Sequence, residues 1–205
     1  MVGAYTINQS GISSINTNNV AKTNEIAEPT KDQCIKWVRL AKDGDRESWD
    51  KIVAAYHTRI YHYLISLMGN PHDAQDVAQD TFVKVYRKLH QHREGSSFTA
   101  WIFTVARRTA LNHFRDKKVG EELPENIKSD AYDPLEQASV SDDAKMLWEQ
   151  VELLKPNARQ AVWLRYGDGL AIQEIADIMG KTSLYVRVLL HRAKAELVKK
   201  LRNHQ

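Results

Sequence analysis

The sequence is poor in the features that mark secreted and membrane proteins. It contains a single cysteine, Cys34, so no disulfide framework is possible and a reducing compartment is favoured. It has no apolar run long enough to span a bilayer, and its N-terminus lacks the basic start and apolar block of a secretory signal. We therefore expect a cytoplasmic protein without membrane insertion.

Signals of catalysis and of cofactor binding are also missing. The sequence has no glycine-rich phosphate loop and no nucleophile motif. His90 and His92 could supply half of a metal site, but no cysteine or acid stands nearby at ligand spacing. The sequence therefore predicts neither an enzyme nor a cofactor.

Charged residues are abundant and unevenly distributed. Residues 31–118 contain 16 basic and 10 acidic residues, residues 119–142 contain one and seven, and residues 143–205 contain 11 and seven. Two basic segments are typical of a protein that neutralises the phosphates of nucleic acid. Because DNA would repel the acidic segment between them, we expect that segment to lie against protein.

Hydrophobic periodicity predicts a helical chain after a polar start. Residues 1–32 are rich in Asn, Ser and Thr without a period, which predicts a disordered tail. Apolar residues recur at three- and four-residue steps across residues 33–118 and 143–205. Residues 119–142 hold two prolines and few apolar residues. The predicted fold is all-α, with two small helical domains joined by an acidic flexible linker and a helix-turn-helix in the second domain.

The stretch from Asp73 to Leu89 predicts an amphipathic helix with an unusual outer face. Its inner stripe consists of Ala74, Val77, Ala78, Thr81, Val85 and Leu89, widened by Phe82 and Tyr86. The outer face begins with Asp73, Asp76 and Asp80 and ends with bases. Acids in the first turns of a helix and bases in its last turns complement the helix dipole. A protein-docking face would explain the same pattern.

The helix that begins near Phe98 becomes basic in its second half. The bases are Arg107, Arg108, Arg115, Lys117 and Lys118. Bases near a helix C-terminus complement the dipole, but five of them in twelve residues exceed what the dipole requires. Contact with phosphate is therefore the favoured interpretation.

Residues 170–197 carry the sharpest local motif, a helix-turn-helix. Ala176 is small where two helices would cross, Gly180 permits a left-handed turn, and Val186 would seal the second helix on the first. Contact with DNA would come from the N-terminal half of the second helix. Arg187 is the best candidate for a base contact, because its guanidinium can bond both guanine acceptors at once.

Several short motifs follow one another in a distinctive order. They are DVAQDTF at 76–82, FTAWI at 98–102 with AR at 106–107, GL at 169–170, EIA at 174–176, and LHRA at 190–193. In these motifs, and across residues 33–202, the chain resembles the extracytoplasmic-function sigma factors, a two-domain group of the bacterial sigma-70 family that directs RNA polymerase to promoters. The order and spacing of the motifs make the resemblance far more specific than a helix-turn-helix alone.

The resemblance implies a role for each surface. Asp76, Gln79 and Asp80 match the surface that docks on the clamp of the largest polymerase subunit. The loop at 91–97 and the next helix match the part that melts and reads the minus-ten element, with candidates Arg93, Ser96, Arg107, Arg108, Asn112, Arg115, Lys117 and Lys118. The helix-turn-helix matches the reader of the minus-thirty-five element, with candidates Ser183, Tyr185, Arg187, Val188, His191, Arg192 and Lys194. The implied partners are core RNA polymerase, promoter DNA and an anti-sigma factor.

Five positions depart from the family pattern. Thr109 and Asn112 stand where the family usually has Asn and Asp, and Tyr185, Val188 and Leu189 replace its more usual Thr, Ser and Arg. The second set makes the groove face of the recognition helix more apolar. The promoter sequence read by relatives is therefore not transferred to this chain.

Two other functions explain part of the sequence. A free-standing DNA-binding regulator accounts for the helix-turn-helix and the basic charge, but it leaves the acidic helix and the basic helix of the first domain without a role. A helical adaptor protein accounts for the acids but not for the groove-reading motif.

Overall fold

The described part of the protein is helical. A computed structural model describes residues 29–118 and 142–202, and these ranges contain no strand. The helices are α1 (Lys31–Lys42), α2 (Arg46–Met68), α3 (Pro71–Lys88), α4 (Phe98–Lys118), α5 (Asp142–Glu152), α6 (Pro156–Val162), α7 (Ile172–Met179) and α8 (Ser183–Arg202). The prediction of an all-α fold is confirmed. Most of the predicted tail and of the acidic linker lies outside the described residues.

Polar caps and left-handed residues set the ends of the helices. The hydroxyl of Thr30 accepts the backbone N–H of Gln33, whose side chain accepts the N–H of Thr30, so α1 begins two residues before the predicted start. Gly69 ends α2 with φ at 70°, and the side chain of Asn70 caps α3. This agrees with the stop predicted at residues 69–71.

The first helical group, α1–α4, is built around α2. Ile52, Ile60 and Leu64 of α2 are fully buried, and α1, α3 and α4 all pack against this helix. The whole predicted inner stripe of α3 is buried as well. Tyr86 is the exception: it is 56% exposed, with its ring 4.9 Å from that of Trp49, because it lies at the edge of the stripe where α2 covers only one side.

The second helical group, α5–α8, contains the predicted helix-turn-helix. Ala176 and Val186 are buried where α7 and α8 cross, and Gly180 has φ at 63° in the turn between them. Trp148 and Trp163 are buried and pack with their ring centroids 4.9 Å apart, which joins α5 to the segment after α6. All three residues that define the motif therefore have the surroundings predicted from the sequence.

The two helical groups contact each other directly, which the sequence did not predict. Helix α4 packs against α7, and the buried side-chain amide of Gln160 donates to the hydroxyl of Tyr63 at 2.8 Å. Arg59 forms an ion pair with Asp168 at 2.8 Å, and the Asp168 side chain is almost fully buried. His62 meets the ring of Trp163 edge-on, and burial lowers its pKa to about 4, so it is neutral at pH 7. These polar contacts fix the orientation of the two groups.

Substitution of Gly180 tests whether the turn of the helix-turn-helix requires a left-handed backbone. A Cβ at this position would touch nothing within 4 Å, so the cost of Gly180→Ala comes from the left-handed backbone alone. We expect Gly180→Ala to lower the free energy of unfolding by about 1–2 kcal/mol, and Gly180→Asn to lower it less, because Asn tolerates this conformation. Denaturant unfolding measures both values. Equal losses for the two variants would show that backbone conformation is not what this position requires.

Candidate nucleic-acid interface and the acidic face of α3

The outer side of α3 carries an exposed surface that the core does not use. Asp76, Gln79 and Asp80 are exposed side by side, and the exposed Val83 and Tyr86 continue the surface toward the end of the helix. We call these five residues the acidic face of α3. Asp80 has only a loose ion pair, with Lys84 at 3.8 Å. Carboxylates beside an exposed aromatic ring are well suited to a protein partner that carries basic groups.

Asp73 does not belong to the acidic face. Its carboxylate accepts from Lys117 at 2.6 and 2.8 Å and lies 3.5 Å from Nε2 of His113. Because both partners are on α4, Asp73 joins α3 to α4 instead of pointing outward. The same contact holds Lys117, one of the predicted DNA contacts, against protein.

The basic residues of α4 lie on different sides of the helix. Arg108, Asn112 and Arg115 are exposed at three- and four-residue steps, and we call them the outer strip of α4. Arg107 is half-buried on another side, where its Nε donates to the side-chain oxygen of Gln160 at 3.4 Å. Lys118 ends the helix, and its side chain lies outside the described residues. The structure thus brings three of the six predicted α4 contacts together on one accessible surface.

The loop before α4 is braced by a buried histidine. His92 packs between the rings of Phe98 and Trp101, at 5.4 Å from each, and Lys42 donates to its backbone carbonyl at 2.6 Å. Burial and the nearby Lys42 charge lower the pKa of His92. Ser96 lies 3.1 Å from the His92 ring nitrogen Nε2. His92 therefore positions the loop that presents Arg93 and Ser96, both of which are exposed.

The first half of α8 presents an exposed surface, the outer face of α8, formed by Leu184, Tyr185, Arg187, Val188 and His191. Four of these residues, Tyr185, Arg187, Val188 and His191, are among the contacts predicted for the minus-thirty-five element. The fifth residue of the face, Leu184, is exposed beside them. Arg192 is exposed beside them, and Lys194 is half-buried.

Two polar residues at the start of α8 are committed to contacts within the protein. The hydroxyl of Ser183 donates to the side chain of Gln173 at 2.6 Å, which holds α8 to α7. The hydroxyl of Thr182 accepts the backbone N–H of Tyr185 at 3.2 Å, so Thr182 caps the helix. Ser183 is therefore a bridge between the two helices of the motif.

The described residues contain few other candidates for chemistry. No three His, Cys, Asp or Glu side chains in residues 29–118 and 142–202 are arranged to hold a metal ion. Within the same ranges, no helix has the length and apolar content needed to cross a membrane.

The sequence-based prediction missed Gln160 and Asp168, whose partners lie about a hundred residues earlier in the chain.

Comparison with known proteins identifies both helical groups. Residues 52–119 match the family model for sigma-70 region 2, and residues 144–197 match the model for sigma-70 region 4. The first match includes the acidic face of α3 and the outer strip of α4. The second includes the complete helix-turn-helix.

Relatives match the chain across both groups. The extracytoplasmic-function RNA polymerase sigma factor SigW of Bacillus subtilis is 28% identical over 181 residues, covering 82% of this chain and 96% of that protein. The RNA polymerase sigma factor YlaC of the same organism is 32% identical over 162 residues, covering 76% and 93%. The sigma factor RpoE of Bartonella quintana, solved with the anti-sigma factor NepR, has the same fold at 22% identity, with a TM-score of 0.62 over 76% of this chain and 98% of that one. The chain belongs to the extracytoplasmic-function group of the sigma-70 family of RNA polymerase sigma factors.

Proposed function

We propose that this sigma factor binds core RNA polymerase through the acidic face of α3 and directs initiation by reading promoter DNA with α4 and α8. The observation that carries the proposal is that one chain presents three surfaces of suitable charge that its core does not require. The acidic face of α3 is exposed while the inner stripe of that helix, apart from Tyr86 at its edge, is buried. Exposed acids contribute little to stability, so a binding role explains them better than folding does.

The minus-ten element is assigned to the outer strip of α4 and the loop before it. Arg108 and Arg115 can neutralise phosphates, and Asn112 between them can hydrogen-bond a base. Arg93 and Ser96 border the same region from the loop, which His92 holds in place. Arg107 and Lys117 join this surface only when they leave Gln160 and Asp73, their present partners.

Binding of DNA along all of α4 requires α7 to move away from it. Helix α4 is covered by α2 and α3 on one side and by α7 on another, so its accessible side is the one that carries the outer strip, with the exposed Leu111 beside it. The minus-thirty-five reader, α8, follows α7 directly in the chain. Separation of the two helical groups would therefore free Arg107 and allow α8 to reach a distant promoter element.

An anti-sigma factor is a further partner that we propose for this chain. The structural relative from Bartonella quintana was solved in complex with one. In this chain the exposed Val83 and Tyr86 give the acidic face an apolar end suited to a competing protein. Cytoplasmic localisation follows from the same proposal, because transcription occurs in that compartment in bacteria.

The free-standing regulator is the weaker alternative. It uses the helix-turn-helix but assigns no role to the acidic face of α3 or to the outer strip of α4. We also propose that the chain acts as a sigma factor without catalytic activity of its own, since its sequence carries no catalytic motif.

Reconstitution tests the proposed function. The purified chain added to bacterial core polymerase should produce transcripts that start at defined sites on a pool of promoter fragments. Core polymerase alone is the control and should give no such starts. Tight binding of the chain to a specific duplex without any complex with polymerase would instead support the free-standing regulator.

Charge reversal tests the acidic face. We expect Asp76→Lys with Asp80→Lys to reduce affinity for core polymerase about tenfold or more, because like charges would then meet across the interface. Asp32→Lys with Asp50→Lys is the matched control, since it makes the same charge change at exposed positions on α1 and α2. Fluorescence anisotropy measures the affinity, and circular dichroism checks the fold. Equal affinities for the two folded double variants would remove the acidic face from the interface.

A further inference from the structure

The outer face of α8 is unusually apolar for a surface that meets DNA. Leu184 is 67% exposed, Tyr185 39% and Val188 42%. Val188 follows Leu184 by four residues and Tyr185 by three, and these spacings make it a surface neighbour of both, so the three side chains form one patch. The inward side of α8 already has its own core residues, Val186, Leu190 and Ala193, so folding does not require the exposed three.

Two of the polar groups near this patch are used inside the protein. The hydroxyls of Ser183 and Thr182 bond Gln173 and the backbone of Tyr185, so both are occupied at the start of the helix. The polar groups that remain on the outer face are the guanidinium of Arg187, the imidazole of His191 and the hydroxyl of Tyr185.

The charged residues in the first half of α8 and in the turn before it are all basic. Residues 181–195 contain no acid, and Lys181 lies 5.7 Å from the centre of the Tyr185 ring. Arg187 and Arg192 are exposed on the same half of the helix. An apolar centre with a basic rim complements a DNA groove, where phosphates flank the bases. The charge therefore favours DNA over an apolar protein or a second copy of this chain as the occupant.

The major groove offers few apolar groups to such a surface. Donors and acceptors mark most base edges, and the C5 methyl group of thymine is the distinctive apolar feature. Val188 is branched at Cβ and therefore stiff, so it loses little freedom when it contacts a base. Leu184 and the ring of Tyr185 can cover neighbouring methyl groups along the groove.

We infer that Leu184, Tyr185 and Val188 select thymine in the minus-thirty-five element through contact with its C5 methyl group. The inference rests on the proposed function, because it requires α8 to lie in the major groove of promoter DNA. Arg187 reads an adjacent guanine. Burial of one methyl group corresponds to about a fourfold difference in affinity.

The test begins with holoenzyme formed from this chain and core polymerase. A library of duplexes randomised in the minus-thirty-five region identifies the bound sequence. Each thymine of that sequence is then replaced by deoxyuridine, which lacks only the C5 methyl group and keeps every hydrogen bond. We expect at least one replacement to weaken binding about fourfold. Deoxyuridine placed in the spacer is the DNA control and should have no effect.

Variants connect the effect to α8. Leu184→Ser and Val188→Ser remove the methyl groups of these side chains, and each should bind thymine and deoxyuridine duplexes more nearly equally than the original protein does; both change exposed positions that the fold does not depend on. Leu153→Ala is the matched control, because Leu153 is 63% exposed just after α5 and outside the patch. This variant should keep the preference of the original protein for thymine.

The outcomes separate the inference from the function beneath it. A holoenzyme that selects a defined element but binds thymine and deoxyuridine equally would overturn the methyl contact and leave the proposed function intact. A preference for thymine that persists in both α8 variants would also overturn it. So would variants whose binding to both duplexes is unchanged while their affinity for a protein partner falls. A holoenzyme that selects no element at all would overturn the proposed function itself.

Discussion

The packing of α4 against helices on two of its sides is the constraint on which the rest of the structure depends. One side of this helix closes the core with α2 and α3, and another packs against α7, so its accessible side is the one that carries Arg108, Asn112 and Arg115, with the exposed Leu111 beside them. The hydrogen bond between Gln160 and Tyr63 and the ion pair between Arg59 and Asp168 hold that arrangement. Leaving either buried pair without a partner costs about 1–3 kcal/mol or more. In the proposed function, binding energy from polymerase and DNA replaces these contacts when the two helical groups separate.

The three proposed binding surfaces follow a common rule. On α3 and α8 the inward side chains are buried and complete the core, which leaves the outward side chains available for binding. Their chemistry then differs with the partner: α3 presents carboxylates, α4 presents guanidinium groups, and α8 presents apolar side chains with a basic rim. Because the surfaces are not needed for folding, their residues can change and alter specificity while the fold is kept.

Local signals in the sequence were sufficient to predict the helices and the helix-turn-helix. Apolar spacing identified the inner stripe of α3, and Ala176, Gly180 and Val186 identified the turn, because each depends on neighbours within about ten residues. The contacts of Asp73 with Lys117 and of Gln160 with Tyr63 join residues 44 and 97 positions apart, and no periodic pattern records such pairs. For this reason the sequence grouped Asp73 with the exposed acids and Arg107 and Lys117 with the DNA contacts, whereas each has a partner within the protein.

Measurement of the separation between the two helical groups tests this account most directly. Lys88→Cys at the end of α3 and Lys199→Cys on α8 place labels at exposed sites, and Cys34, which is buried, is replaced by Ala. Energy transfer between the labels should report a longer distance when core polymerase and promoter DNA are added than in the free protein. An unchanged distance in a complex that initiates transcription would contradict the claim that α4 must be released from α7.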